Sequence, residues 1–181
     1  MTDWPQIVEQ HGPLVWRTAF RLLTNEPDAA DCFQRTFVSA LELERKEAIR
    51  NWPGLLRRLA TIRALECLRQ RRRDASQTTL PEAGAADTRT PDPVEAAERG
   101  ELAEHLRGAL AELDARQAQV FCLACLEGFS YAEVAEQLGV TENHVGVLLN
   151  RARTSLRERL QGHRPATTAG RAGKGLSHDR T

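Results

Sequence analysis

Aromatic residues are scarce in this chain, three Trp, one Tyr and five Phe among 181 residues. Leu, Ala and Val therefore dominate the 41% hydrophobic content, and with Arg, Glu and Gln, all strong helix formers, they point to an all-helical protein with modest cores. Small cores suggest two small bundles rather than one large domain. Long hydrophobic runs are missing too: no window approaches the ~18 apolar residues of a membrane span. The opening Met-Thr-Asp-Trp-Pro has no basic region followed by an apolar run, so no membrane insertion and a cytoplasmic location are expected. Net charge is absent as well, 25 Lys and Arg against 25 Asp and Glu, so composition as a whole does not announce a nucleic-acid binder. The five histidines, His11, His105, His144, His163 and His178, are too scattered to suggest catalysis. Four cysteines fall inside helical apolar patterns in a chain without export signals, which favours reduced thiols. Cys122-Leu-Ala-Cys125 has the spacing of half a zinc site or of a redox pair. No second pair or nearby histidine completes four ligands, so both cysteines are expected to pack as small core hydrophobes, with no metal and no cofactor.

Charge is distributed in blocks. Arg57, Arg58, Arg63, Arg69, Arg71, Arg72 and Arg73 crowd one segment, whereas Asp74, Glu82, Asp87, Asp92 and Glu95 make the next acidic. The basic segment belongs to a helix that Asn51 can cap and Pro53 can open, with Leu55, Leu56, Leu59, Ile62, Leu65 and Leu68 as its apolar face. Ahead of it, residues 3–24 read as helical with an interruption at Gly12-Pro13, giving either two short helices or a kinked one. Asn25-Glu-Pro-Asp28 opens a helix through about Glu44, with Phe33, Phe37, Ala40 and Leu41 as its expected core face. From Asp74 to about Pro93 the sequence is too poor in large apolar residues to order itself. The expected division is a first domain over 1–75, a flexible acidic linker over 76–93, a second helical domain over 94–161 and a disordered tail over 162–181.

Inside the second domain, Asp114 can cap a helix carrying Val120, Phe121, Leu123 and Leu126, ended by Glu127-Gly128. Ser130 and Glu133 then form a capping box for a helix with an apolar stripe of Val134, Ala135 and Leu138. Gly139 can take the left-handed conformation that ends it, and Thr141 can cap a further helix whose Val145, Leu149 and Ala152 face inward. This is the pattern of a helix-turn-helix, whose second helix would lie in the major groove of DNA.

Two blocks flanking the acidic segment carry a resemblance. The first is Asp28-Ala-Ala-Asp-Cys-Phe-Gln34-Arg-Thr-Phe37-Val-Ser-Ala followed by the basic run Leu56 to Arg73. The second is Leu113-Asp-Ala-Arg-Gln-Ala-Gln-Val-Phe121, then Glu127-Gly-Phe-Ser-Tyr-Ala-Glu-Val-Ala and Asn150-Arg-Ala-Arg153. In order and spacing they resemble an extracytoplasmic-function (ECF) sigma factor of the sigma-70 family over roughly residues 4–160. The resemblance implies a bacterial initiation factor, not itself an enzyme, whose partners are core RNA polymerase and promoter DNA, and it leaves room for an anti-sigma factor as a third. It places Asp31, Gln34, Arg35 and Val38 against the polymerase clamp helices; spaced i, i+3, i+4, i+7, these four share one helix face. It assigns promoter melting to the loop at 44–51 and to the basic helix, where Arg57, Arg58, Arg63 and Arg69 would meet DNA. Trp52 is either a base-stacking residue or a core anchor.

The chain departs from relatives at several positions. It has Ile62 and Glu66 where an asparagine and an aspartate are common, and Ala30 at an acidic position. In the recognition helix it has Gly146 and Leu148 where a lysine and an arginine are typical. The remaining polar candidates there are Asn143, His144, Asn150, Arg151 and Arg153. Two other readings stay open: a helix-turn-helix regulator that works without polymerase, and a degenerate sigma-like chain that binds polymerase or an anti-sigma factor without reading DNA.

Overall fold

The computed structural model describes residues 2–77 and 93–161. The linker expected over 76–93 therefore lies, apart from its ends, outside the described residues, as does the tail expected over 162–181. The described residues form helices and turns without strands. Three helices make the first unit, α1 (Trp4–Leu23), α2 (Glu26–Glu44) and α3 (Trp52–Gln77). The second comprises α4 (Pro93–Glu112), α5 (Ala115–Phe121), a π-helical turn (Cys122–Leu126), α6 (Tyr131–Leu138) and α7 (Glu142–Gln161).

Side-chain caps set most of the helix starts. Asp3 accepts from the Gln6 amide, Asn25 from Asp28 at 2.8 Å, Asn51 from Gly54 at 2.9 Å, and Asp114 from both Arg116 and Gln117. Each satisfies an amide that the helix itself leaves orphaned. α1 runs as one element straight through Pro13, although proline removes the amide that would bond the Glu9 carbonyl. Beside it Gly12 is buried, where a Cβ would lie 3.6 Å from the Phe33 ring. At its end Thr24 takes the left-handed conformation with φ 56°, donating its amide to Phe20 O at 2.8 Å.

α2 buries a different stripe from the expected one. Ala29, Cys32, Thr36, Ser39 and Ala40 face the core, while Phe33, Phe37 and Leu41 are only half buried. Phe33 lies at the rim, against Trp16 of α1, and packs at 4.9 Å on Phe37 with the two rings tilted by 59°. Small residues on the inner face let α2 approach α3 closely, so the bulky rings are displaced to the edge, where they cover the seam. Thr36, fully buried, is satisfied by donating to the Cys32 carbonyl.

Three apolar clusters hold the chain. One, inside the first unit, joins Val15, Ala40, Leu55, Leu56, Leu59 and Ala60, flanked by Trp4, Phe37 and Trp52. A second, inside the helix-turn-helix, joins Val120, Leu123, Phe129, Val134, Val145, Leu148 and Leu149. The third crosses between the units, combining Leu22, Leu23, Leu65 and Leu68 with Leu110, Leu113, Cys122 and Leu156. Each fully buried leucine contributes about 1.5–3 kcal/mol, so this bridge is a substantial part of the fold. α3 is its spine and explains why the helix is long: it packs on α1 and α2 on one side and on α4 and α5 on the other.

The π-helical turn is absent from the sequence expectation, which runs one helix through Leu126. Here Glu127 N bonds Cys122 O at 2.9 Å and Phe129 N bonds Leu123 O at 3.0 Å, widening the coil by one residue. The widening rotates Cys125 outward, so it is exposed rather than packed in the core, 3.7 Å from the Arg153 guanidinium. Cys122 stays fully buried, and burial pushes its thiol up to about 12.

Candidate functional site

The first candidate surface is the outer face of α2. Asp31, Gln34, Arg35 and Val38 are all exposed, Val38 at 55%, and Asp31 lies 3.6 Å from Arg35 across one helical turn. The i, i+3, i+4, i+7 spacing does bring the four onto one side, opposite the Cys32–Thr36–Ser39 stripe that anchors the helix. An exposed aliphatic residue flanked by an amide and a charge pair suits a helix-to-helix contact with another protein.

The loop between α2 and α3 forms the second. Thr2, Glu44, Arg45, Lys46, Glu47, Ala48, Ile49 and Trp52 surround an open cavity of about 440 Å³. Trp52 is held from behind, edge-on to Trp4 at 5.4 Å and 86°, so it is a core anchor whose position also gives the cavity an aromatic wall. Arg45 and Lys46 are exposed at its rim. A cavity of this size with an aromatic wall and cations at the mouth is able to accept a single unstacked base.

The basic helix is less free than its composition suggests. Arg57 donates to the Glu127 carbonyl at 3.2 Å and lies 4.7 Å above the Phe129 ring. Arg63 bonds Ser39 Oγ at 2.7 Å and Glu66 at 2.8 Å. Arg69 reaches the Leu113 carbonyl at 3.5 Å, and Arg71 pairs with Asp28. Arg58 is half buried; burial pushes its pKa down while Glu47 opposes that shift, and its Nε is buried without a partner. The four candidates thus sit on one helix, but none is fully exposed, and two of them contact the second unit. The departures at 62 and 66 also find places: Ile62 is half buried and Glu66 pairs with Arg63.

The helix-turn-helix forms as its sequence dictates. Ser130 and Glu133 exchange both bonds of a capping box, which holds the Glu133 carboxyl below the usual carboxylate range. Gly139 adopts φ 63° to end α6, and Thr141 Oγ1 accepts from the His144 amide at 3.2 Å to start α7. Val145, Leu149 and Ala152 face inward as expected. Asn143, His144, Asn150, Arg151 and Arg153 are all exposed. Leu148 is not part of that surface: at 6% exposure it belongs to the core of the unit, so an arginine is missing from the interior rather than from the outer face. Gly146 lies beside the Tyr131 ring. Sequence reasoning missed Val147, 41% exposed, which stands on the outward face with Asn143, Asn150 and Arg151. The 3.6-residue period run outward from Val145 and Leu149 would have found it. It also missed Glu127 and Phe129, whose contacts with the first unit no spacing reveals.

The fold is thus a three-helix unit followed by a helix-turn-helix unit. A family model for Sigma-70 region 2 matches residues 7–74 and one for Sigma-70, region 4 matches residues 103–156. The ECF RNA polymerase sigma factor SigE of Mycolicibacterium smegmatis is 29% identical over 167 residues, 92% of this chain and 65% of that protein. SigL of Mycobacterium tuberculosis, also named an ECF RNA polymerase sigma factor, is 29% identical over 160 residues, 86% of this chain and 87% of its own. The chain therefore spans just under two thirds of SigE and most of SigL. Among solved structures, RpoE of Bartonella quintana in complex with the anti-sigma factor NepR superposes with a TM-score of 0.53 at 21% identity, covering 91% of this chain and all of that one. CnrH in complex with the cytosolic domain of CnrY gives 0.51 at 24%, covering 88% of each. The chain belongs to the sigma-70 family, in its extracytoplasmic-function group.

Proposed function

We propose that this protein is a transcription initiation factor that binds core RNA polymerase and directs it to specific promoters. The observation that carries this reading is the occurrence of both sigma-70 regions in their order on one chain, with the α2 face, the base-sized cavity and the recognition helix all open to partners. In this reading Asp31, Gln34, Arg35 and Val38 dock on polymerase. The loop at 44–51 and Trp52 take an extruded base at the upstream bubble edge, while Arg57, Arg58, Arg63 and Arg69 neutralise the strand's phosphates. On α7, Asn143 and Asn150 have the amide geometry for adenine, Val147 that for a thymine methyl, and Arg151 and Arg153 meet phosphates; His144 lies at the same edge. RNA synthesis itself remains the polymerase's, and the factor acts in the cytoplasm, where its promoter DNA lies. Among the described residues no helix is long and apolar enough to cross a membrane.

An anti-sigma protein is proposed as a further partner, since the two superposing structures are complexes with NepR and with CnrY. The degenerate-chain reading rested on Gly146 and Leu148; with Leu148 a core residue, only the missing cation at Gly146 still speaks for it. Run-off transcription from a library of random promoters, with core polymerase and with or without this protein, is the test. Start sites that need the protein and vanish with Asp31→Arg are expected. Polymerase binding without any transcript would favour the degenerate partner, and neither would favour an independent regulator.

A further inference from the structure

We propose that the helix-turn-helix selects its DNA by the methyl groups of thymine, through an apolar patch in which Tyr131 and Val147 flank the gap left by Gly146. This rests on the proposed role of α7 and names the class of base that α7 takes. From Gln117 to Asn150 the chain holds no Lys or Arg, while Glu127, Glu133, Glu136 and Glu142 fall in the same stretch. Both helices of the motif therefore run without a cation until Arg151, halfway along α7. The N-terminal part of a recognition helix is the part that reaches base edges, and guanine is read there most often by an arginine or a lysine. Lacking both, the first turns of α7 present the amide of Asn143, the imidazole of His144 and apolar surface.

Tyr131 is 42% exposed and Val147 41%, two of the few large hydrophobic side chains that the described residues leave open. At Gly146, the one side chain beyond its chain neighbours that a Cβ would meet among the described residues is Tyr131, at 3.7 Å, an ordinary contact. Its backbone is helical, unlike the left-handed Gly128 and Gly139. Neither conformation nor packing thus calls for glycine, which lowers helix propensity. What glycine does at this position is leave the Tyr131 ring uncovered beside Val147, making an apolar strip along the side of α7 that carries Asn143 and Asn150, away from the buried Val145, Leu149 and Ala152. Such a strip accepts the 5-methyl of thymine, and the asparagine amides beside it match N6 and N7 of adenine. The surface therefore favours A·T pairs and distinguishes their two orientations by where the methyl falls. Its continuity with Asn143, Asn150 and Arg151 favours DNA over a protein as the occupant.

The test sets thymine against uracil, which differ only by that methyl. The full chain, alone and bound to core polymerase, enriches a random duplex library, and the enriched element is then remade with deoxyuridine for thymidine. An A·T-rich element is expected, with affinity falling about fourfold for each methyl removed from contact. Because the change is made in the DNA, no folding defect can produce that loss. Val147→Ala should shrink the difference between the two duplexes. Gly146→Lys should shrink it as well, by laying a side chain over Tyr131, even as its charge tightens binding to every duplex. Equal affinity for the thymine and uracil duplexes, an element of G·C pairs alone, or no enrichment in either form overturns the inference. If Val147→Ala also leaves DNA binding unchanged, the patch belongs to a protein partner instead. Methyl-dependent binding without any polymerase-dependent transcript would count against the proposed function and leave the inference standing. Promoter-specific transcripts indifferent to uracil would do the reverse.

Discussion

Single residues here carry costs that their neighbours tolerate. Thr24 is a β-branched residue at φ 56°, where L side chains other than asparagine and aspartate crowd their own carbonyl. Replacing it with asparagine should stabilise the protein by about 1 kcal/mol, measured as a shift in the urea midpoint. The cysteines divide by environment rather than by spacing. Burial pushes Cys32 and Cys122 up to about 12 and Cys67 up to about 11 from an ordinary value of 9.0, whereas Cys125 is exposed. At neutral pH an aromatic disulfide reagent should label Cys125 first, and Cys32 and Cys122 only on unfolding. The raised pKa values also set a sign. An unfolded thiol loses its proton near pH 9 while its folded counterpart keeps it, so the contribution to stability is intact below 9 and lost as pH rises toward 12. Urea midpoints measured from pH 7 to 11 should be less pH-dependent above 9 in the Cys32→Ala/Cys122→Ala variant than in wild type.

At the scale of elements, the helix-turn-helix is the part most legible from sequence, because its determinants are local. Ser130, Glu133, Gly139 and Thr141 act within four residues of themselves, and each performs the capping or turning expected of its chemistry. The face of α2 formed by Asp31, Gln34, Arg35 and Val38 was legible for the same reason, a period. What periodicity could not decide was which of two adjacent stripes on α2 goes inward, since Phe33 and Phe37 are more hydrophobic than Cys32, Thr36 and Ser39. Close approach of α3 selects the smaller side chains, and that is a tertiary fact. The π-helical turn was illegible because it is set by where Glu127 must arrive, not by the residues within it. Within α7, Gly146 is open to change: a Cβ there would lie 3.7 Å from Tyr131, an ordinary contact. Gly146→Ala should raise stability by about 1 kcal/mol through helix propensity. Gly146→Lys adds a cation at the edge of the outward face. It should strengthen DNA binding and steepen the salt dependence by close to ~1 in log–log slope, in a titration across salt concentrations.

At the scale of the whole molecule, the expectation of two bundles with separate cores meets a third core that belongs to both. Leu23, Leu65 and Leu68 pack in the same cluster as Leu110, Leu113 and Leu156, so neither unit buries all of its apolar surface without the other. Cooperative unfolding follows from that sharing: a calorimetric scan should give one transition, not two. Leu65→Ala and Leu110→Ala lie on opposite sides of the cluster and each is at most 1% exposed. Each should lower stability by about 2–5 kcal/mol and move the single transition as a whole. Two resolved transitions, with Leu65→Ala shifting one and Leu110→Ala the other, would mean that the shared core contributes little in solution. The chain would then behave as two tethered domains, and the force that a partner must supply to separate them would be correspondingly small.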